Sequence, residues 1–466
     1  MIAEELADWG VSTAAFPDAV RDAARRHLLD GFGTALGALR LEAVGPALHV
    51  GRGLGGPPES TIIGDATKVG AASAALANGA LVHGLDFDDT HAGGLVHATS
   101  VVLPAAFAVG EETGATGSAV LDAAIVGLET VCRVGAAAPY AFQARGLHAT
   151  MVGGVFSAAI VSARLMCLTA DETTSALGIA GSQAGGLLAF LASGASTKQL
   201  HPGMASHAGV IAARLAAAGA SGPANVFEGP FGLYDALAGG EGDPTTIVEG
   251  LGTRWETTRI GIKPYPACQH SHASIDALRA AQRQQPIGPA DVVSIRATMH
   301  PDAADVVCAM GRDLAAPTTA YAAKFSMPWC LAALIVDGEL TIESFGDESI
   351  ARPQVAELAR RITWDIGRGD TVAADAPGHV EVVFRDGTSV VGDVGRSSGG
   401  PDEPLSRDQL IAKFMSSAGA GDEVIGLIER LDDAASISPI LAACAAVHSA
   451  RQVTRNDFPD HFGDSR

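Results

Sequence analysis

The chain has 466 residues, and 31 Lys and Arg against 52 Asp and Glu leave a formal charge of −21 with only 18% of residues charged. A polyanion this acidic repels nucleic acid and anionic membrane surfaces unless its cations gather on one face, and the sequence holds no basic run. With 47% apolar residues it has ample material for buried cores, so a disordered chain is excluded, and the length gives a prior of roughly two to three domains.

The apolar half is rich in Ala, with 56 Gly and only 5% aromatics, a composition that lets helices approach closely. No window reaches the ~18–20 uninterrupted apolar residues of a membrane span. Met1-Ile2-Ala3-Glu4-Glu5 lacks the basic start of a signal peptide, so a cytoplasmic protein is expected. Cys132, Cys167, Cys268, Cys308, Cys330 and Cys444 form no CxxC pair, which argues against a zinc ribbon, an iron–sulfur cluster or a disulfide framework.

In chain order, Phe16-Pro17-Asp18 opens a helix whose apolar positions recur through Val20, Ala24, Leu28 and Phe32. Thr61-Ile62-Ile63-Gly64 is too short to define a strand by itself. Helices are predicted over 71–86, 101–113, 151–170 and 174–184. After Lys263 the character changes. Val292 to Met299 is β-branched and partly alternating, and Val380 to Val391 reads as a hairpin turning on Asp386-Gly387. Gly395 to Pro401 reads as a linker, and 405–430 is again helical. The expected fold is mainly α: a large all-helical bundle formed by both chain ends, 1–264 and 398–466, with a smaller α+β domain inserted at 265–397.

Eight of the fourteen histidines fall between positions 83 and 272, several in polar islands within Gly-rich sequence. The first island runs His83-Gly84-Leu85-Asp86-Phe87-Asp88-Asp89-Thr90-His91, with His97 beyond it. Three readings stay open: an acid/base site, Asp side chains capping a helix end, or carboxylates collecting a divalent cation. In Arg145-Gly146-Leu147-His148, the His stands before a small-residue helix, whose positive end favours neutral imidazole, although a His that merely caps or fills space fits equally. In Thr197-Lys198-Gln199-Leu200-His201-Pro202-Gly203, the Lys offers a point charge for a carboxylate or is simply solvated. In Lys263-Pro264-Tyr265-Pro266-Ala267-Cys268-Gln269-His270-Ser271-His272, the two prolines fix an extended approach at the domain boundary. His270 and His272 cannot share one helix face, so one of them is expected to point inward. Cys268 is read as a packed thiol rather than a nucleophile. No GxGxxG, Walker loop, GxSxG elbow or HExxH is present.

Taken in order, these islands resemble the MmgE/PrpD family. The resemblance starts at Leu28-Leu29-Asp30-Gly31-Phe32-Gly33 and Ala74 to Ala80, which runs into His83 to Thr90. It continues through Gly146-Leu147-His148, Lys198 to Gly203, Phe227-Glu228-Gly229 and Lys263 to Cys268, and closes with Ala323-Lys324-Phe325-Ser326-Met327-Pro328 and Pro404-Leu405-Ser406. It implies a homodimer with a metal-free and cofactor-free site in a cleft between domains, acting on a small di- or tricarboxylate. The family's catalytic positions fall on Asp86, Thr90, His97, His148 and Lys198. Arg145, His201, Lys263, Tyr265 and Cys268 are the expected substrate contacts. The sequence departs from decarboxylase-type members at Cys268, where they carry a His; His272, four residues on, is the expected stand-in. The resemblance therefore points to a cofactor-independent lyase of the 2-methylcitrate dehydratase type, with an epimerase or a decarboxylase as alternatives on the same site.

Overall fold

The computed structural model describes residues 1–457 and is mainly helical; the end of the expected returning segment, residues 458–466, lies outside the described residues. Its buried apolar residues fall into two clusters. One draws on Ile2 to Ile262 and on Leu405 to Cys444, with Ile342. The other draws on Tyr265 to Val390, joined by Phe190 from the first half of the chain.

Local sequence sets the element ends. Pro17, with its fixed φ, precedes the helix Asp18–Arg40. Thr169 with Glu172 and Ser406 with Gln409 form reciprocal capping boxes at the starts of Ala170–Gly181 and Arg407–Ala418. The predicted helices are present as Ala71–His83, Ala98–Thr113, Ala149–Leu165 and Ala170–Gly181. The expected single helix over 405–430 is two, Arg407–Ala418 and Asp422–Glu429, because Gly419 and Gly421 both take positive φ between them.

Helices Ala71–His83 and Thr197–Ala217 cross backbone to backbone. A Cβ on Gly203 would sit 2.1 Å from the Leu76 carbonyl oxygen, and one on Gly79 would sit 2.5 Å from the Gly203 Cα. Only glycine fits this crossing, which sets Lys198, near the start of one helix, over Asp86, just past the end of the other. Gly203→Ala is expected to cost about 1–3 kcal/mol in chemical denaturation by forcing the helices apart, and an unchanged midpoint would show that the crossing is slack.

The second cluster is built on a four-stranded sheet in the order Ile362–Ile366, Val292–Met299, Gly378–Phe384, Ser389–Val394, with the first pair parallel and the others antiparallel. The last two strands form the predicted hairpin on Asp386-Gly387, Gly387 at φ 85°. The helix His272–Gln284 packs on these strands, so close that a Cβ on Gly392 would meet the Ala277 carbonyl. Both crossings between the clusters lie side by side: the Ile262 amide donates to the Gly399 carbonyl, and Ile260–Gly261 pairs with Thr90–His91. The 395–401 segment is thus bonded into this junction rather than serving as a free linker. The junction brings the Asp86 island against Lys263. None of the described helices is long and apolar enough to cross a membrane.

Candidate active site

Helix Ala71–His83 ends at His83, and the chain turns through Asp86 at φ 52°, a left-handed conformation that Asp tolerates better than most residues. The turn points the carboxylate inward. Asp86 Oδ1 accepts from Lys198 Nζ at 2.7 Å and from Lys263 Nζ at 3.1 Å, and Lys263 also donates to the Asp86 carbonyl at 2.9 Å. Burial alone would raise the Asp86 pKa, but the two ammonium groups outweigh it and hold the carboxyl well below its usual range. Lys263, fully buried, is held above its ordinary value because Asp86 overcomes its desolvation.

The rest of the acidic run takes other partners. Asp88 accepts from His83 Nδ1 at 2.8 Å, while Asp89 takes the Thr99 amide at 3.0 Å in the first turn of helix Ala98–Thr113 and faces His27. Lys413 donates to the Phe87 carbonyl at 2.8 Å and lies over the Phe87 ring. The capping reading therefore holds at Asp89, whereas Asp86 is paired with two ammonium groups, an arrangement that none of the three readings named. Ligand atoms of His83, Asp86, Asp88 and His97 do lie within 4.8 Å of one another, as do those of His83, His97 and His148. Lys198 and Lys263 both bond Asp86 Oδ1, and their positive charge opposes a cation at that carboxylate.

Three imidazoles stack into this pocket, with ring centroids 4.6 Å apart for His83 and His97 and 5.9 Å apart for His97 and His148. His97 Nδ1 lies 2.9 Å from the Asp89 carbonyl and is therefore the protonated nitrogen, with Thr90 Oγ1 at 3.4 Å. Its Nε2 lone pair faces Lys198 Nζ at 3.3 Å. His148 caps helix Ala149–Leu165, and its Nδ1 pairs with His201 Nδ1 at 3.1 Å. No hydrogen bond engages His148 Nε2 among the described residues. Burial, then Lys198, pushes both His97 and His148 well below the usual imidazole value, so both are neutral bases at pH 7.

Asp86, Thr90, His97, His148, Lys198, His201 and Lys263 thus come together, with Cys268 beside them. The Cys268 thiol is pushed up to about 11 by burial and by Asp86, and its amide donates to the Lys324 carbonyl. Other expected contacts lie elsewhere. Arg145 is exposed and packs against Gly239. Tyr265 turns its hydroxyl to Asp276 at 2.6 Å, and His272 stacks on Tyr265 and bonds the Ala267 carbonyl, with no hydrogen bond to the imidazole trio.

Three groups escaped the sequence reading. His83 was visible in its island but not singled out. Lys324 stood in the Ala323 to Pro328 segment that carries the resemblance but was given no role, and Tyr321, three residues before it, carried no signal. Lys324 Nζ donates to the Pro266 carbonyl, and burial lowers its pKa to about 7. Tyr321 has a buried hydroxyl without a partner and lines a cavity of about 210 Å³ with Phe190, Gly194, Arg312, Phe325 and Ser326. Lys198 Nζ lies 5.6 Å from the centroid of the Phe325 ring, which lines this cavity.

Two family models match most of the chain. Residues 4–245 match the MmgE/PrpD N-terminal domain, and residues 265–424 match the MmgE/PrpD C-terminal domain. The chain belongs to the MmgE/PrpD family. Relatives in that family include cis-aconitate decarboxylase of Aspergillus terreus, 29% identical over 94% of this chain and 95% of its own length. A cis-aconitate decarboxylase-like protein of Aspergillus oryzae is 30% identical over 82% and 84%, and cis-aconitate decarboxylase of Homo sapiens is 25% identical over 91% and 90%. These MmgE/PrpD relatives are enzymes, and their shared lyase chemistry agrees with a site built from bases and ammonium groups.

The buried imidazoles also fix how stability depends on acid. Burial pulls His201 and His270 down to about 4 and His272 to about 3. Unfolded imidazoles protonate near ~6.5, so below that pH the unfolded chain binds more protons than the folded one, and stability falls as pH drops toward about 4. Denaturation midpoints should decline steadily from pH 7 to 4.5, less steeply in His201→Gln; a flat profile would contradict the neutral, buried assignment.

Proposed function

We propose that this chain is a cofactor-independent lyase acting on a small polycarboxylate, and that it is a hydro-lyase. The observation that carries this reading is a pair of neutral imidazoles facing two ammonium groups in one buried pocket. Lys263 and Lys198 receive a substrate carboxylate, which draws Lys198 from the His97 lone pair. His148 Nε2 removes the proton from the carbon beside the carboxylate, whose developing negative charge the ammonium groups stabilise. The C–O bond to the neighbouring hydroxyl then breaks, and Lys198 or the Tyr321 hydroxyl supplies the proton that completes water. Proton transfer between the imidazolium and the spent donor restores the resting state. Asp86, held ionised by two lysines, serves to place them rather than to take a proton, and Cys268, a thiol at neutral pH, cannot replace an imidazole.

Decarboxylation is the second reading, favoured by the names of the curated relatives. There the C–C bond to the departing carboxylate breaks, and Lys198 or Tyr321 protonates the resulting carbanion. Incubation with 2-methylcitrate, citrate, cis-aconitate and iminodisuccinate, followed by NMR, separates the outcomes. An olefinic acid with no loss of CO₂ supports the hydro-lyase, released CO₂ supports the decarboxylase, and inversion alone makes it an epimerase. Turnover of none of these acids would overturn the polycarboxylate assignment.

A further inference from the structure

Lys198 and Lys263 provide for one substrate carboxylate, and a polycarboxylate carries at least one more. A further cationic group meets the same aromatic residue that Lys198 approaches. Lys198 Nζ lies 5.6 Å from the centroid of the Phe325 ring, the Tyr321 ring packs on that ring at 5.3 Å between centroids, and the Phe325 carbonyl accepts from Arg312 Nη2 at 3.5 Å. Arg312, Tyr321 and Phe325 line the cavity of about 210 Å³, together with Phe190 from the helical half.

The cation and the phenol in this lining both lack a partner. Arg312 Nη2 also donates to the Val306 carbonyl, but its buried Nε bonds nothing, and among the described residues no carboxylate pairs with the guanidinium. Burial lowers its pKa, whereas Arg21, Arg214 and Arg352, each paired with a carboxylate, are raised. The Tyr321 hydroxyl is buried and equally unbonded. Asp313, the one carboxylate in the lining, is exposed and spends Oδ1 on the amides of Ala315 and Ala316, both at 3.1 Å. The Ser326 hydroxyl donates to the Leu314 carbonyl at 2.6 Å, so the loop that carries Arg312 is held before any ligand arrives. Buried donors left open call for a reason, and in a chain with 52 acidic against 31 basic side chains an unpaired guanidinium at a cavity suits an anion from outside.

We propose that Arg312 and Tyr321 form a subsite for the substrate carboxylate that does not flank the reacting carbon, and that Arg312 sets the requirement for a second negative charge. This rests on the polycarboxylate reading above. Arg312 supplies the charge and Tyr321 a neutral donor, and the two oxygens of one carboxylate satisfy both. With the Tyr321 hydroxyl engaged there, Lys198 is the group that gives the proton to the departing hydroxyl.

Binding of unreactive acids tests the subsite. Succinate and glutarate offer two arm lengths and carry no leaving group, and their monoamides, succinamate and glutaramate, replace one carboxylate by a neutral group of similar shape. By calorimetry, the unmodified protein should bind at least one diacid about tenfold or more tighter than its monoamide. Arg312→Gln should bring that ratio close to one, Arg312→Lys should keep most of it, and Tyr321→Phe should lower it about threefold. A general disturbance of the pocket would weaken diacid and monoamide alike and leave the ratio in place. Because the Tyr321 hydroxyl is unbonded, Tyr321→Phe should not lower the melting temperature, and it carries the test if Arg312→Gln fails to fold. A ratio near one for both diacids in the unmodified protein, or a ratio that survives Arg312→Gln or, where that variant does not fold, Tyr321→Phe, would overturn the subsite. Failure of the unmodified protein to bind any of the four acids would instead overturn the polycarboxylate reading and the subsite with it.

Discussion

Lys198→Ala should reduce kcat/KM by about a hundredfold or more while leaving the fold nearly as stable. Lys198 touches Asp86 and His97 and approaches the Phe325 ring, and on the proposed reading it is the cation that meets a substrate carboxylate and the charge that forms beside it. Its removal still leaves Asp86 paired with Lys263, so no buried charge is stranded. Lys198→Arg should rescue little, because a planar guanidinium cannot occupy the small gap between a carboxylate oxygen and an imidazole nitrogen. Steady-state kinetics alongside thermal melting checks both halves. Turnover near that of the unmodified protein, or a collapse in stability, would each contradict the assignment.

Asp86→Asn has the opposite signature, a large loss of stability. The substitution keeps a residue that tolerates left-handed φ but removes the carboxylate with which both buried ammonium groups pair. Breaking a buried pair from one side costs about 3–5 kcal/mol, because the remaining charge is stranded. Asp86→Ala should cost roughly a further 1 kcal/mol through backbone strain. Adding Lys263→Met to Asp86→Asn should recover part of the loss, since one stranded charge is then gone. Denaturant titration gives all three numbers, and a loss under about 1 kcal/mol for Asp86→Asn would mean that water or movement relieves the lysines.

Much of this was legible in the sequence, for identifiable reasons. Pro17, the capping boxes and Asp386-Gly387 are local signals, and they marked helix starts and a hairpin. The strand Ile362–Ile366 escaped because it pairs on one side only and carries Thr, Trp and Asp in an exposed pattern. At the site, the islands revealed Asp86, His97, His148 and Lys198, since polar residues in Gly-rich apolar sequence need a purpose. The division of Asp86, Asp88 and Asp89 among three separate partners was not legible, because it depends on Lys198 and His27 reaching, from distant helices, the turn that follows His83. Arg145 shows the converse: it lies three residues before His148, yet the turn through Gly146 at φ 76° leaves it on the surface.

On the proposed reading, neutral imidazoles among buried ammonium groups move a proton beside a carboxylate without a metal or cofactor. Incubation in D₂O containing EDTA, with whichever acid of the panel reacts, tests it by NMR. Deuterium exchange at the carbon beside the carboxylate, undiminished by the chelator and abolished in His148→Ala, is the predicted result. Exchange that disappears with EDTA and returns with Mg²⁺, or that persists without His148, would contradict it.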